Sequence, residues 1–206
     1  MRNIIIPAIL AKSFPEFKKR IKFLEPFFSL IQIDVLDSSL VPNRSFYNYT
    51  LIGKLKTPVN YELHLMVSKP LSIIKVWITS KKLKRVIIHM EAFDNKDADL
   101  YDIISLLKRN KVKVGLAVNP KTKLARVKSF ATKIDFLLIM GVHPGWSGQK
   151  ILPSTFNKIK SATKLYPKLP IAVDGGITME NYQRILKAGA SILNVASLVY
   201  SLSNPN

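Results

Sequence analysis

No cysteine occurs anywhere in the 206 residues, which excludes disulfides and thiolate metal sites and is compatible with the cytoplasm. Long apolar runs are missing too: none approaches membrane-spanning length, so no membrane partner is expected. The opening IIIPAIL is brief, lacks a small-residue cleavage pattern and is followed at once by a helix-like Ser13–Leu24, so it reads as a first strand. No Pro/Gly/Ser-rich linker or low-complexity tract divides the chain. Residues 1–206 therefore read as one domain, whose 48% hydrophobic content can bury a substantial core. Acidic residues are scarce, 13 against 32 Lys and Arg, for a formal charge of +19. Such a field attracts phosphates, nucleic acid or anionic membrane. The basic clusters Lys18–Lys22, Lys81–Arg85 and Lys108–Lys113, however, fall on expected outer helices or helix-to-strand turns and do not interleave with aromatics. They read as a solvated shell, with no specific nucleic-acid partner.

What is present is a repeating alternation. Strand-like apolar runs occur at Ile4–Ile9, Leu30–Asp34, Asn60–Met66, Arg85–His89, Lys113–Val118, Phe136–Met140, Ile171–Asp174 and Ile192–Ala196. Helical spacing separates several of them: Leu100, Ile103 and Leu107; Phe156, Ile159, Ala162 and Leu165; Tyr182, Ile185 and Leu186. Strands alternating with helices imply parallel pairing through right-handed crossovers, and eight units close naturally into a (β/α)8 TIM barrel. A doubly wound open sheet would carry a glycine-rich turn after its first strand, and Ala8–Ser13 holds no glycine.

In such a barrel the active site lies at the C-terminal ends of the strands. Two carboxylates stand there, Asp34 in QIDVLDSSLVPN and Asp174 in IAVDGGI, each ending an apolar run on its own strand. The strand period places Gln32 and Asp34 on one face, with Ile31 and Ile33 on the other. The same rim collects His64, His89 and Glu91, Asn119 and Met140. His89 reads as a hydrogen-bonded core residue. His64 and Met66 point inward beside Asp34, where metal ligation, acid–base work and a structural role are all open for His64.

These segments resemble the ribulose-phosphate 3-epimerase family over nearly the whole chain. The resemblance rests on IIPAIL, IDVLDSSLVPN, ELHLMVSKP, GLAVNPKT, IMGVHPGWSGQKILPSTFNKI, VDGGI and AGASILNVAS, in the family's order. It implies an isomerase of the pentose phosphate pathway that interconverts ribulose 5-phosphate and xylulose 5-phosphate through a 2,3-enediolate. Asp34 and Asp174 would be the two proton carriers, and one divalent metal ion (zinc, iron, manganese or magnesium) would sit among Gln32, Asp34, His64 and Asp174. Ala8, Leu36, Met66 and Met140 match substrate-contacting positions. Gly145, Ser147, Gly148, Gly175, Gly176, Ala196 and Ser197 match phosphate-binding ones, whose N–H groups are expected at helix starts.

Several residues depart from the family pattern. Gln32 stands for a metal-binding histidine, Ala8 for a serine, Ser147 for a glycine, Ser38-Ser39 for glycine-histidine and Ala196 for a phosphate-loop glycine. A glutamine carbonyl is a neutral and harder ligand than imidazole, so weaker zinc binding and better tolerance of manganese, magnesium or iron are expected. A related ketose phosphate such as a hexulose 6-phosphate, or a phosphate-binding or interaction module, are the alternative functions. The short stretch after the last strand points to a truncated or missing eighth outer helix, and hence to a homo-oligomer covering the exposed strands.

Overall fold

The computed structural model of the protein describes residues 3–94, 97–196 and Val199. Its eight strands close into one parallel barrel: β1 (Ile4–Ile9), β2 (Leu30–Leu36), β3 (Asn60–Met66), β4 (Leu83–His89), β5 (Lys113–Val118), β6 (Phe136–Met140), β7 (Ile171–Asp174) and β8 (Ile192–Val195). Every strand pairs with its sequence neighbour, and β8 closes on β1 with Ile4 opposite Ile192. Strands β2 and β4 run two residues longer than the sequence suggests, one at its C-terminal end and the other at its N-terminal end. Val35 and Leu36 continue the register with β3, Leu83 pairs with Tyr61, and the register then shifts so that Arg85 pairs with Glu62.

The outer layer is built as the spacing predicts, with two shortfalls. Helix α1 (Phe14–Leu24) starts where the Ser13 hydroxyl accepts the Glu16 N–H, has Pro15 in its first turn and buries Phe17, Ile21 and Leu24. Helices α2 (Tyr49–Gly53) and α3 (Pro70–Trp77) follow β2 and β3. Helix α4 (Asp97–Arg109) buries Leu100, Ile103, Ile104 and Leu107. Asp97 and Asp99 lie in its first turn and Lys108 and Arg109 in its last, the sense the helix dipole favours. Helices α5 (Ser154–Leu165) and α6 (Tyr182–Lys187) cover β6 and β7. Leu165, the last residue of α5, belongs to its apolar stripe but is 58% exposed. Between β5 and β6 there is a 3-10 turn at Leu124–Val127 instead of an α-helix, and buried Val127 and Phe130 supply the apolar cover. The expected shortening of the eighth outer helix concerns positions that, Val199 apart, lie outside the described residues. No helix among the described residues is long and apolar enough to cross a membrane.

The period-2 alternation sorts the barrel residues into two environments. Outward side chains such as Ile31, Ile33, Leu63 and Val173 join the large core shared with the helices. The lumen is divided by chemistry: Ile6, Ile87, Ala117, Phe136, Leu138, Met140, Ala172 and Ile192 form an apolar cluster. Gln32, Asp34, Glu62, His64, His89, Asp174 and Asn194 are buried polar residues from β2, β3, β4, β7 and β8. Strand register sets the levels of the polar group, with Gln32 opposite Glu62, Asp34 opposite His64 and Asp174 opposite Asn194.

Candidate functional site

Asp34, two residues before the end of β2, and Asp174, the last residue of β7, stand at the same rim and belong to one buried cluster with His64. His64 Nδ1 lies 3.2 Å from Asp34 Oδ1 and 3.2 Å from Asp174 Oδ2. One potential ligand atom from each of the three residues falls within 4.8 Å of the others, a spacing that could hold a metal ion. Gln32 reaches into the same group and faces it with its amide nitrogen, 2.7 Å from Asp34 Oδ1 and 2.7 Å from Asp174 Oδ2. The carbonyl ligation expected of Gln32 is therefore not the arrangement found, because its Oε1 turns away and accepts a hydrogen bond from Asn194 Nδ2.

Behind His64 runs a line of partners that fixes its tautomer. His64 Nε2 is 2.8 Å from His89 Nε2, and His89 Nδ1 is 3.2 Å from Glu91 Oε2. Burial opposes ionisation of Glu91, but hydrogen bonds from His89, Thr122 and the Asn119 N–H outweigh it and hold the carboxyl at about 2. An ionised carboxylate only accepts, so His89 donates from Nδ1 and accepts at Nε2, and His64 donates from Nε2. The lone pair of His64 Nδ1 is then left facing two carboxylates. That orientation suits a cation, and the donor set of two carboxylates and one imidazole fits a divalent ion. A proton can take up the same place. Burial works against charge on His64, yet its hydrogen bonds to Asp174 and Asp34 raise the imidazole to about 10. Burial pushes the Asp34 carboxyl up, against the hydrogen bond from His64, and the nearby Asp174 charge adds to the rise.

Above the cluster opens a pocket of about 580 Å³, part of it open to solvent. Asp34, His64 and Asp174 form its floor with Met66 and Met140, and the loops after β6, β7 and β8 bring Gly145, Ser147, Gly148, Gly175, Gly176 and Ala196 to its wall. The expected phosphate-binding positions thus converge, except Ser197, which lies outside the described residues. They do not lie at helix starts as expected. Gly175 and Gly176 both have positive φ and hold the chain in a turn, so α6 begins only at Tyr182. Nor is Gly148 at the start of α5, which begins at Ser154. Among the described residues no backbone carbonyl takes the N–H of Gly148, Gly175 or Gly176, so the loops themselves can offer donors. Gly176 is required by space as well as by φ: a Cβ there would come 2.3 Å from Ile151 N.

Two substrate-side expectations shift. Ala8 is buried in register with Gln32, below the pocket, and Leu10 lines the wall in its place. Leu36 packs with Val41 and Met66 beside the mouth instead of lining it. Residues that the sequence did not single out tie the rim together. Asn43 Nδ2 donates to Gly145 O, Asn43 Oδ1 accepts from Lys12 Nζ, and the Lys12 ammonium lies 5.9 Å from the Trp146 ring centroid. Lys158 Nζ donates to the carbonyls of Asn119 and Thr122 at 2.6 and 2.7 Å, clamping the β5 loop to α5. Glu62 and Asn194 were missed as well, although alternation placed them beside His64 and Asp174.

A family model described as the ribulose-phosphate 3 epimerase family matches residues 4–200. The ribulose-phosphate 3-epimerase of Chlamydia trachomatis serovar D is 33% identical over 184 residues, 86% of this chain and 77% of that protein. That of Bacillus subtilis is 31% identical over 209 residues, 97% of this chain and 93% of that protein. Solved structures share the fold alone. A mutant tryptophan synthase alpha-subunit of Pyrococcus furiosus aligns with a TM-score of 0.69 at 14% identity, covering 98% of this chain and 91% of that one. The BexX/CysO complex of Amycolatopsis orientalis gives 0.64 at 15%, covering 97% and 82%.

Proposed function

The chain belongs to the ribulose-phosphate 3-epimerase family and is an enzyme, an isomerase acting on carbohydrates, and we propose that it interconverts ribulose 5-phosphate and xylulose 5-phosphate. The observation that carries this reading is the convergence of Asp34 and Asp174, from different strands, on one buried point beneath a glycine-rich pocket. Epimerisation at C3 needs a proton removed from one face of the carbon and returned to the other. One carboxylate takes that proton, the carboxylic acid on the far side delivers its own, and their protonation states are exchanged at the end of a turnover. Burial assists by keeping Asp34 partly protonated at higher pH than an exposed carboxyl would be.

Asp34, His64 and Asp174 would hold a divalent ion, which when bound would supply positive charge to stabilise the enediolate. His89 and Glu91 keep the His64 lone pair turned toward that point. Met66 and Met140 give the sugar carbons a polarizable apolar floor. The phosphate binds among the N–H groups of Gly145, Ser147, Gly148, Gly175, Gly176, Ala196 and Ser197.

Deuterium incorporation at C3 of ribulose 5-phosphate, measured with hexulose 6-phosphate alongside, tests the assignment. Asp34→Asn and Asp174→Asn should each lose more than about 99% of exchange and turnover, since each removes a proton carrier. Retention of about a tenth of wild-type turnover by either variant would refute the two-carboxylate mechanism.

A further inference from the structure

The Gln32 amide nitrogen is 2.7 Å from Asp34 Oδ1, 2.7 Å from Asp174 Oδ2 and 3.4 Å from His64 Nδ1. It therefore stands at the point shared by the three residues that could hold a cation. Resting on the cation reading above, we propose that Gln32 is a resident occupant of the cation position, a neutral hydrogen-bond donor that a metal ion must displace, and that Asn194 keeps it there.

The direction of the amide follows from donor and acceptor counting. Glu62 is paired with Arg85, Nε to Oε2 at 2.5 Å, and its other oxygen accepts from Asn194 Nδ2 at 2.6 Å. The second Asn194 hydrogen goes to Gln32 Oε1. With its oxygen engaged, Gln32 has only its NH2 to present to the site, two hydrogens for two carboxylates. Turning the amide over would set its NH2 against the Asn194 NH2 and its oxygen against both Asp34 and Asp174. The Arg85–Glu62 pair thus sets the polarity of the whole string, and Asn194 is a positioning residue for Gln32. The NH2 group thus gives each carboxylate one hydrogen-bond donor, Asp34 Oδ1 and Asp174 Oδ2.

Calorimetric titration of the full chain with Mn2+ tests this. Gln32→Ala should bind the ion at least about ten-fold more tightly than wild type, a gain of about 1.4 kcal/mol. Asn194→Val should tighten it by a smaller factor, because the amide is present but no longer held. Equal or weaker binding by Gln32→Ala would overturn the proposal while leaving the cation reading intact. If neither wild type nor Gln32→Ala binds Mn2+, both fall. Nitrogen-15 NMR of the wild type gives an independent check, with the Gln32 side-chain signals assigned by their loss in Gln32→Glu. The Gln32 NH2 protons should exchange slowly with solvent in the metal-free protein and quickly once diamagnetic Zn2+ is bound. Fast exchange in the metal-free protein overturns the proposal.

Discussion

Replacing Glu91 by Gln isolates the line that sets the His64 tautomer. The Glu91 carboxyl is held at about 2 against an ordinary 4.5, with burial opposed by the hydrogen bonds from His89, Thr122 and Asn119. Its side chain is 17% exposed, so solvent screens it little. A group depressed on folding stabilises the folded state fully above its unfolded value, and that contribution is lost as pH falls through the folded value. At 1.36 kcal/mol per pH unit the carboxylate contributes up to about 3 kcal/mol at pH 7, present above about pH 4.5 and gone near pH 2. The amide keeps some of the hydrogen bonds but none of the charge. Urea unfolding at pH 7 should therefore show Glu91→Gln less stable than wild type by about 2–3 kcal/mol, with the gap shrinking below about 1 kcal/mol by pH 2.5. A gap that stays constant from pH 7 to pH 2.5 would show that shape, and not the carboxylate charge, is responsible. The same variant carries a functional consequence. Glutamine donates as well as accepts, so His89 is no longer committed to accepting at Nε2 and the His64 lone pair is no longer committed to the site. Mn2+ affinity should fall several-fold along with stability.

Three further substitutions probe other parts of the frame. Gly176→Ala brings a Cβ to 2.3 Å from Ile151 N at a φ of +71°, and should cost about 1–3 kcal/mol of stability and raise KM for the phosphate ester more than it lowers kcat; steady-state kinetics with an unchanged KM would contradict the pocket assignment. Gly115→Ala sets a methyl 2.3 Å from the Phe136 ring deep in the lumen, so thermal unfolding should show a loss of about 1–3 kcal/mol with KM unaltered, and a stability equal to wild type would show that the ring is free to move. Arg85→Met leaves Glu62 buried without its cation and should cost about 3–5 kcal/mol by denaturant unfolding, whereas adding Glu62→Leu to it should recover most of the loss; a double variant as unstable as the single one would show that the pair is not the cause.

The barrel was legible because period-2 alternation, helical spacing and order all pointed the same way, and the strand runs in the sequence differ from the observed strands by two residues at most. Asp34, His64 and Asp174 were legible for a related reason: a polar residue on the inner face of an apolar strand needs a partner, and the C-terminal rim supplies one. The rule extends to Glu62, two residues before His64, and to Asn194, level with Asp174, neither of which lies at the C-terminal end of a strand run, where the sequence directs attention. Strand alternation does not say which end of an amide faces inward; for Gln32 the Asn194 partner on β8 decides it. The loops resist such reading for a different reason. The Asn43–Gly145 hydrogen bond joins residues 102 apart, and the positive φ of Gly175 and Gly176 delays α6 to Tyr182. Both depend on how two loops meet in space, which no local spacing encodes.

The lumen is best understood as two hydrogen-bonded strings that start on glutamates and converge on one point. From Glu62, paired with Arg85, the string runs through Asn194 to Gln32; from Glu91 it runs through His89 to His64. Each glutamate only accepts when ionised, so each string has a fixed sense, but the two deliver opposite ends. Asn194 donates at both its hydrogens, leaving Gln32 to donate into the site, while His89 passes acceptance along, leaving His64 to accept there. A donor and an acceptor thus meet between Asp34 and Asp174, with Gln32 Nε2 3.4 Å from His64 Nδ1. Acceptors in the site outnumber the hydrogens that one amide supplies, and the shortfall is what a proton or a cation satisfies. Strand register makes the convergence possible: Gln32 lies opposite Glu62 and Asp34 opposite His64, so a one-residue slip of β2 on β3 would turn Gln32 and Asp34 out of the lumen and leave Glu62 and His64 without them.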